Sequence, residues 1–372
     1  MPSIATRGAL SAKGYGFGMG GPSGPFLWTW GHNTSGQLGL NDIANRSSPV
    51  QVGALTTWLA IAGGNYHTIA RKTDGTLWTW GKNNIGQLGL NDTTQRNSPV
   101  QVGALTTWLA IASGNYHNIA TKTDGTLWTW GYNALGQLGL NDTTQRNSPV
   151  QVGALTTWLA IAGGYFHNIA VKTDGTLWTW GHNGMGQLGL NNTTYHSSPV
   201  QVGALTTWKT IAGGTYHTIA VKTDGTLWTW GYNTSGQLGL NDTTQRASPV
   251  QVGALTTCLA IASGRQHTIA RKTDGTLWTW GKNNIGQLGL NNTTYHSSPV
   301  QVGALTTWKT IASGTYHTIA TKTDGTLWTW GHNTSGQLGL NDIANRSSPV
   351  QVGALTTWLA IAGGNYHTIA IG

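Results

Sequence analysis

The sequence predicts an all-β fold, a seven-bladed β-propeller of four-stranded antiparallel blades, and three observations support that prediction. Trp-Thr-Trp-Gly recurs from Trp28, Trp78, Trp128, Trp178, Trp228, Trp278 and Trp328, a spacing of 50 each time, and a fixed period of this size marks a propeller or a solenoid. Each unit contains four short strand-like runs and no helical period. The chain also starts and stops in mid-unit. Its first repeat residues, Phe26-Leu27-Trp28-Thr29-Trp30, belong to a third strand, and Gly372 follows a second strand. N-terminal third and fourth strands would therefore complete a blade begun by C-terminal first and second strands. Such closure removes the open ends of the ring, whereas a solenoid would need polar capping repeats, and none is visible.

Residues 1–24 differ from the rest. Gly14, Gly16, Gly18, Gly20, Gly21 and Gly24 crowd their second half, which reads as a flexible Gly-rich arm with Tyr15 and Phe17 as small apolar anchors. Residues 25–372 form the propeller domain. In the unit from Thr57 to Gly103, Trp58-Leu59-Ala60-Ile61-Ala62 is a short apolar run ended by Gly63-Gly64, and His67 to Lys72 alternates with period two. Thr73-Asp74-Gly75 reads as a hairpin turn in which Asp-Gly supplies the positive φ angles that a two-residue turn requires. Leu77 to Trp80 is the third strand. The connection Gly81 to Asn97 leads to a fourth strand, Pro99 to Val102, with proline at its start, where a missing donor is tolerated. The small residues Ala60, Ala62, Gly63 and Gly64 suit the narrow inner edge of a blade, and the tryptophans its middle.

Composition narrows the function. Glu is absent, the 11 acidic residues are all Asp, and 20 Lys and Arg give a formal charge of +9. The basic residues form no run, which argues against nucleic acid as a partner. Six of the aspartates, Asp74 and its counterparts every 50 residues, are one turn position, and the other five share one place in the long connection. Acid–base catalysis needs carboxylates in unlike environments, so a non-enzymatic chain is expected, with no cofactor. Gly-Gln-Leu-Gly matches no nucleotide fingerprint. The single Cys258 occupies the column of Trp58 and reads as a substituted core position. No apolar run approaches a membrane span, and Met1 to Gly24 lacks the apolar stretch of a secretory signal. A cytoplasmic or virion-associated protein is therefore expected, and a monomer unless the arm docks to a larger assembly.

Seven histidines, His67, His117, His167, His217, His267, His317 and His367, share one column. Copies on separate blades stand too far apart to share one ion, so they read as hydrogen-bonded structural groups, with Trp78 and Trp80 as architecture and no metal site. His32, His182, His196, His296 and His332 fall in the long connection and are expected to be exposed.

The frame from His67 through Lys72-Thr73-Asp74-Gly75-Thr76-Leu77-Trp78-Thr79-Trp80-Gly81, then Asn83, Gly86-Gln87-Leu88-Gly89, Pro99 and Val102, resembles the repeat of the regulator of chromosome condensation family, over residues 25–372. The resemblance implies a seven-bladed propeller with a shared closing blade, in a family that includes exchange factors for a small GTPase, chromatin binders and a bacterial β-lactamase inhibitor protein. Uniform unit lengths look closer to the inhibitor type, and no inserted loop resembles the wedge that acts on a GTPase. The block Thr6 to Gly18 looks similar to short N-terminal segments of marine phage structural proteins.

Comparing units shows where they differ. Columns 32, 34, 35, 43 to 47, 65 and 66 vary, whereas the Thr-Asp-Gly turns and Gly-Ala-Leu-Thr-Thr links barely change. In an antiparallel blade the connections after the first and third strands emerge on one face, so the variation concentrates on a single loop face, where function is commonly carried. Candidate contacts there are Lys82, Tyr116, Tyr132, Phe166, His182, Tyr195, Tyr216, Tyr232, Arg265, Lys282 and Tyr295. Tyr165-Phe166 and Arg265-Gln266 are the most asymmetric points. Such aromatic and arginine anchors suit a protein partner, and aromatics equally stack sugars. A recognition scaffold follows, in a phage or bacterial adhesion setting. The alternatives are an inhibitor-like or exchange-factor-like protein binder, or an engineered symmetric scaffold. Residues 28–70 are identical to residues 328–370, a mosaic that points to recent duplication or engineering.

Overall fold

The computed structural model describes residues 25–253 and 255–372; the N-terminal arm predicted from the sequence lies outside them. Seven four-stranded antiparallel sheets make up the chain, and among the described residues there is no helix. Blade 1 runs through Trp58–Gly63, His67–Lys72, Leu77–Gly81 and Arg96–Gln101, and blades 2 to 6 repeat it at intervals of 50 residues. Blade 7 joins the two termini. Its sheet order is Arg46–Gln51, Leu27–Gly31, His367–Ile371, Ala360–Gly363. Leu27 to Gly31 pairs with Ile371 to His367 over five consecutive positions. Phe26 and Gly372 exchange two backbone hydrogen bonds, of 3.0 and 3.1 Å. No strand at either terminus is left as an open ring end, as the mid-unit start and stop predicted.

First strands of successive blades touch one another around the ring, and their last residues, Gly63, Ser113, Gly163, Gly213, Ser263, Ser313 and Gly363, line the mouth of an axial channel. Only small side chains fit there. The apolar core lies between blades. Ala60, Ile69, Leu77 and Val102 of blade 1 pack on Trp108, Ile111, Ala120 and Trp130 of blade 2, and this grouping recurs around the ring. In each of blades 1 to 4 and 6 the first-strand tryptophan meets both third-strand tryptophans with ring centroids 5.9 to 6.4 Å apart. Edge-on aromatic packing at this separation is favourable beyond its buried area. Cys258 stands where blade 5 would have that tryptophan, buried against Val252, Ile261 and Trp280. Burial pushes its thiol up to about 11, so it stays a protonated apolar filler.

Two local expectations are corrected. The fourth strand begins at Arg96 rather than Pro99. Pairing jumps from Thr79↔Val100 to Gly81↔Arg96, so the proline sits within an irregular stretch of an outer edge strand, where no ladder donor is required. The hairpin turn, moreover, uses three residues. Lys72 N–H donates to Thr76 O (3.0 Å), Gly75 N–H donates to Lys72 O (3.1 Å), and of Asp74 and Gly75 only the glycine has positive φ, +80°. Asp74 acts through its side chain, its Oδ1 accepting from Thr76 N–H and Oγ1–H. Those bonds hold its carboxyl below the usual value.

Candidate functional site

A recurring latch fixes each blade against the next. Gln87, in the connection between the third and fourth strands of blade 1, presents its backbone carbonyl to blade 2, where Trp130 Nε1–H (3.2 Å) and Asn118 Nδ2–H (2.6 Å) both donate to it. The equivalent carbonyl of Gln187 takes Trp230 Nε1–H (2.8 Å) and Thr218 Oγ1–H (2.8 Å). Because the Thr218 hydroxyl spends its proton on that carbonyl, it is left as an acceptor for His167 Nε2–H at 3.0 Å. The same step runs from His67 to Asn118, His117 to Asn168, His217 to Thr268, His267 to Thr318, His317 to Thr368 and His367 to Thr68, which closes the circle. The donor directions place a proton on Nε2 in all seven. Each ring also sets its Cε1 edge against the glycine three residues before it. A Cβ at Gly64 would stand 2.0 Å from His67 Cε1. The imidazoles are fully buried, and burial lowers them to about 4 for His67 and His117 and about 3 for the others.

The connections after the first and third strands meet on one face. Lys82 N–H donates to Tyr66 O (2.8 Å), Tyr132 N–H to Tyr116 O (3.0 Å), His182 N–H to Phe166 O (2.9 Å) and Lys282 N–H to Gln266 O (2.8 Å). Columns 65, 66 and 82 thus become three concentric rings about the channel. The innermost includes Asn115, Tyr165, Thr215, Arg265, Thr315 and Asn365 at the mouth. Its loops are tied together across blades: Asn65 N–H donates to Asn115 O (2.9 Å) and Arg265 N–H to Thr315 O (3.0 Å).

Aromatic rings fill one long arc of this face. Tyr116 stacks on Phe166 (6.0 Å) and meets Tyr132 and Tyr165 edge-on. Tyr165 contacts Tyr216, which meets Tyr232. His182 packs between Tyr195 (4.6 Å) and Tyr216 (5.6 Å). Tyr195 is 46% exposed; Tyr295, its counterpart two blades on, is 45% exposed. A second arc comprises Tyr316, His332, Tyr366, His32 and Tyr66, with Lys82 Nζ 5.4 Å from the Tyr66 ring. Column 66 is tyrosine in five of the seven blades, so variation between units does not distinguish Tyr66, Tyr316 and Tyr366 from Tyr116 and Tyr216. Their membership of columns 32 and 66 was the available signal. All five histidines expected to be exposed, His32, His182, His196, His296 and His332, are half-buried; His32, His182 and His332 accept at Nδ1 from Gln37, Gln187 and Gln337 Nε2, and burial lowers these three.

Between Tyr216 and Tyr316 the arc is broken by Gln266. Here Arg265 is exposed at the channel mouth, donates from Nη1 to Tyr316 OH, and holds its guanidinium carbon 5.6 Å from the Tyr316 ring. None of the three rings contains a carboxylate. The nearby aspartates of the long connections, Asp42, Asp92, Asp142, Asp242 and Asp342, are each tied to the arginine four residues on. In the two blades where Asn192 and Asn292 replace them, His196 and His296 replace the arginine. The turn aspartates lie on the opposite face with Lys72 and its counterparts, whose ammonium groups sit 3.4 to 4.1 Å above third-strand tryptophans.

Solved structures with the same architecture were found by comparison. Prp20p from Saccharomyces cerevisiae, described with its binding properties to Gsp1p and histones, superposes with a TM-score of 0.85 at 21% identity, over 94% of this chain and 92% of that one. Human WBSCR16 gives 0.84 at 21% identity, over 94% and 98%. Yeast RCC1 (Prp20) bound to Kap60 gives 0.83 at 20% identity, over 98% and 90%. No curated protein matches the chain by sequence. The profile of the regulator of chromosome condensation (RCC1) repeat matches residues 26–71, 74–121, 124–171, 174–221, 224–271, 274–321 and 324–371, nearly the whole propeller, and the chain therefore belongs to the RCC1 repeat family.

Proposed function

We propose that this chain is a non-enzymatic protein-binding platform whose contact surface is the loop face around the channel mouth. The observation that supports this reading most is the partition of its residues. Columns 65, 66 and 82, which differ between blades, come together on one face around the channel mouth, while the histidines and third-strand tryptophans that join blades do not differ. Tyrosine, phenylalanine and arginine are the residue types that anchor protein interfaces. A protein is favoured over a glycan because many of the aromatic faces are already taken: Tyr116 and Phe166 cover each other, as do Tyr316 and Tyr366. A pyranose needs an open ring face. Support for a non-catalytic role comes from the half-buried His32, His182 and His332, which face glutamine amides rather than carboxylates, so nothing in their setting raises their basicity.

The Prp20 structures are described with protein partners, Gsp1p, histones and Kap60, which agrees with a protein-binding reading for the family. Adhesion in a phage or bacterial setting is a finer form of the same reading, as is an inhibitor-like or exchange-factor-like binder. The near-identical blades are equally what an engineered symmetric scaffold would show. The test is a combined Tyr132→Ala, Phe166→Ala and Tyr232→Ala variant, assayed against binders selected from a random peptide library on the wild-type protein. Binding should fall at least about tenfold with an unchanged unfolding midpoint. Equal affinity would place the contact surface elsewhere.

A further inference from the structure

The loop face is chemically lopsided. On the side of blades 2 to 4 it is an apolar, interlocked aromatic patch running from Tyr116 to Tyr232. On the side of blade 5 the patch stops at Gln266, and two cations stand in its place. Arg265 is at the channel mouth, and Lys282, in a ring farther from it on the same blade, is anchored through its amide to Gln266 O. Arg265 has no carboxylate partner in any of the three rings. Its neighbours are phenols, with Tyr316 hydrogen-bonded to it and Tyr165 and Tyr216 close enough to act on its charge. A phenol hydroxyl occupies one of five N–H donors and leaves the rest of the guanidinium fork open. The pairing of the outer aspartates with their own arginines keeps negative charge from reaching this sector.

An arginine held in place by an aromatic ring, exposed at a mouth and with no acid in the surrounding rings, is suited to bidentate capture of a carboxylate. Resting on the reading of this face as a protein-binding surface, we propose that its partner presents an acidic polypeptide segment, with one carboxylate seated at the channel mouth on Arg265, a second acidic group toward Lys282, and apolar side chains laid on the Tyr116–Tyr232 patch. Charge complementarity selects this occupant. Nucleic acid would need a longer run of cations than two neighbours at the mouth provide.

Random twelve-residue peptides displayed on phage and selected on the wild-type chain test this directly. The selected peptides should be enriched in Asp and Glu over the input library. One of them, synthesised, should lose about 10- to 100-fold in affinity against Arg265→Glu and less against Lys282→Glu. Affinity should also fall as salt rises from about 50 to 300 mM. Replacing the peptide's acids by Asn and Gln should reproduce the Arg265→Glu loss. Selected peptides of neutral or basic composition, insensitive to Arg265→Glu yet weakened by the Tyr132, Phe166 and Tyr232 variant, would overturn the acidic segment while leaving the binding face intact. Peptides indifferent to all of these substitutions would overturn both. Arg265→Gln, which removes charge and keeps length, guards against misfolding as the cause of a loss.

Discussion

Residues 66 and 67 are neighbours in the chain, and the two columns they head are opposite in character. Column 67 is histidine in all seven blades, wholly buried, bonded to the next blade. Column 66 holds tyrosine, phenylalanine or glutamine, half-buried at the face. The difference arises where the strand begins: His67 is the first residue of the second strand, and Tyr66 ends the preceding loop. One residue of chain therefore separates the latch that holds the ring closed from the surface it displays. Substitutions in the latch should cost stability around the whole ring, and substitutions on the face should cost only recognition.

Acid should expose that contrast most strongly. The buried histidines have folded values of about 3 to 4, against about 6.5 in an unfolded chain. A lowered value means the folded state refuses a proton that the unfolded state accepts. The stability the neutral rings contribute is complete above about pH 6.5 and is lost as pH falls toward 4. Each proton is worth about 1.4 kcal/mol per pH unit in that window, so seven together approach on the order of 10 kcal/mol per unit. Chemical unfolding at pH 7 and pH 5 should show a steep loss, and His217→Gln should make it shallower. A pH-independent midpoint across this range would mean the column is not buried and neutral.

Trp230→Ala removes a fully buried ring and the Nε1–H that binds Gln187 O. It should destabilise by about 3–5 kcal/mol in guanidinium unfolding, a loss the face variants do not share. Lys172→Met keeps the apolar stem and removes the cation 3.6 Å above Trp178, for an expected loss of about 0.5–2 kcal/mol. The combined Tyr132, Phe166 and Tyr232 change should stay within roughly 0.5 kcal/mol per site. A larger loss would show that the aromatic arc also helps to hold the ring together.

The ring itself was legible in the sequence because its causes are periodic. Trp28 to Trp328 at intervals of 50 gave the blade count, and the strand at which the chain starts gave the closure. The latch was less legible. Its acceptor is the backbone carbonyl of Gln87 or Gln187, which no side-chain pattern reports, and its donors come from a neighbouring blade 31 or 43 residues on in the chain. Proline at position 99 suggested a strand start, but an outer edge strand with a register jump accommodates it inside. At the face, Phe166 and Gln266 stand out in column 66 because they differ from neighbouring units. Tyr66, Tyr316 and Tyr366, identical to Tyr116 and Tyr216, do not, although the closed ring places them in the same circle. The pairing of Asp42 with Arg46 was recoverable from sequence, since Asn192–His196 and Asn292–His296 change both partners together.

The division between latch and display is tested most directly by amide hydrogen exchange on the propeller with and without a library-selected peptide. Protection on binding should appear at the loops that carry columns 65, 66 and 82, strongest at Arg265, Gln266 and Lys282 and around Tyr116 and Phe166, with the Thr-Asp-Gly turns unchanged. Protection centred on those turns, or on the Gly-Ala-Leu-Thr-Thr links of the same face, would contradict it.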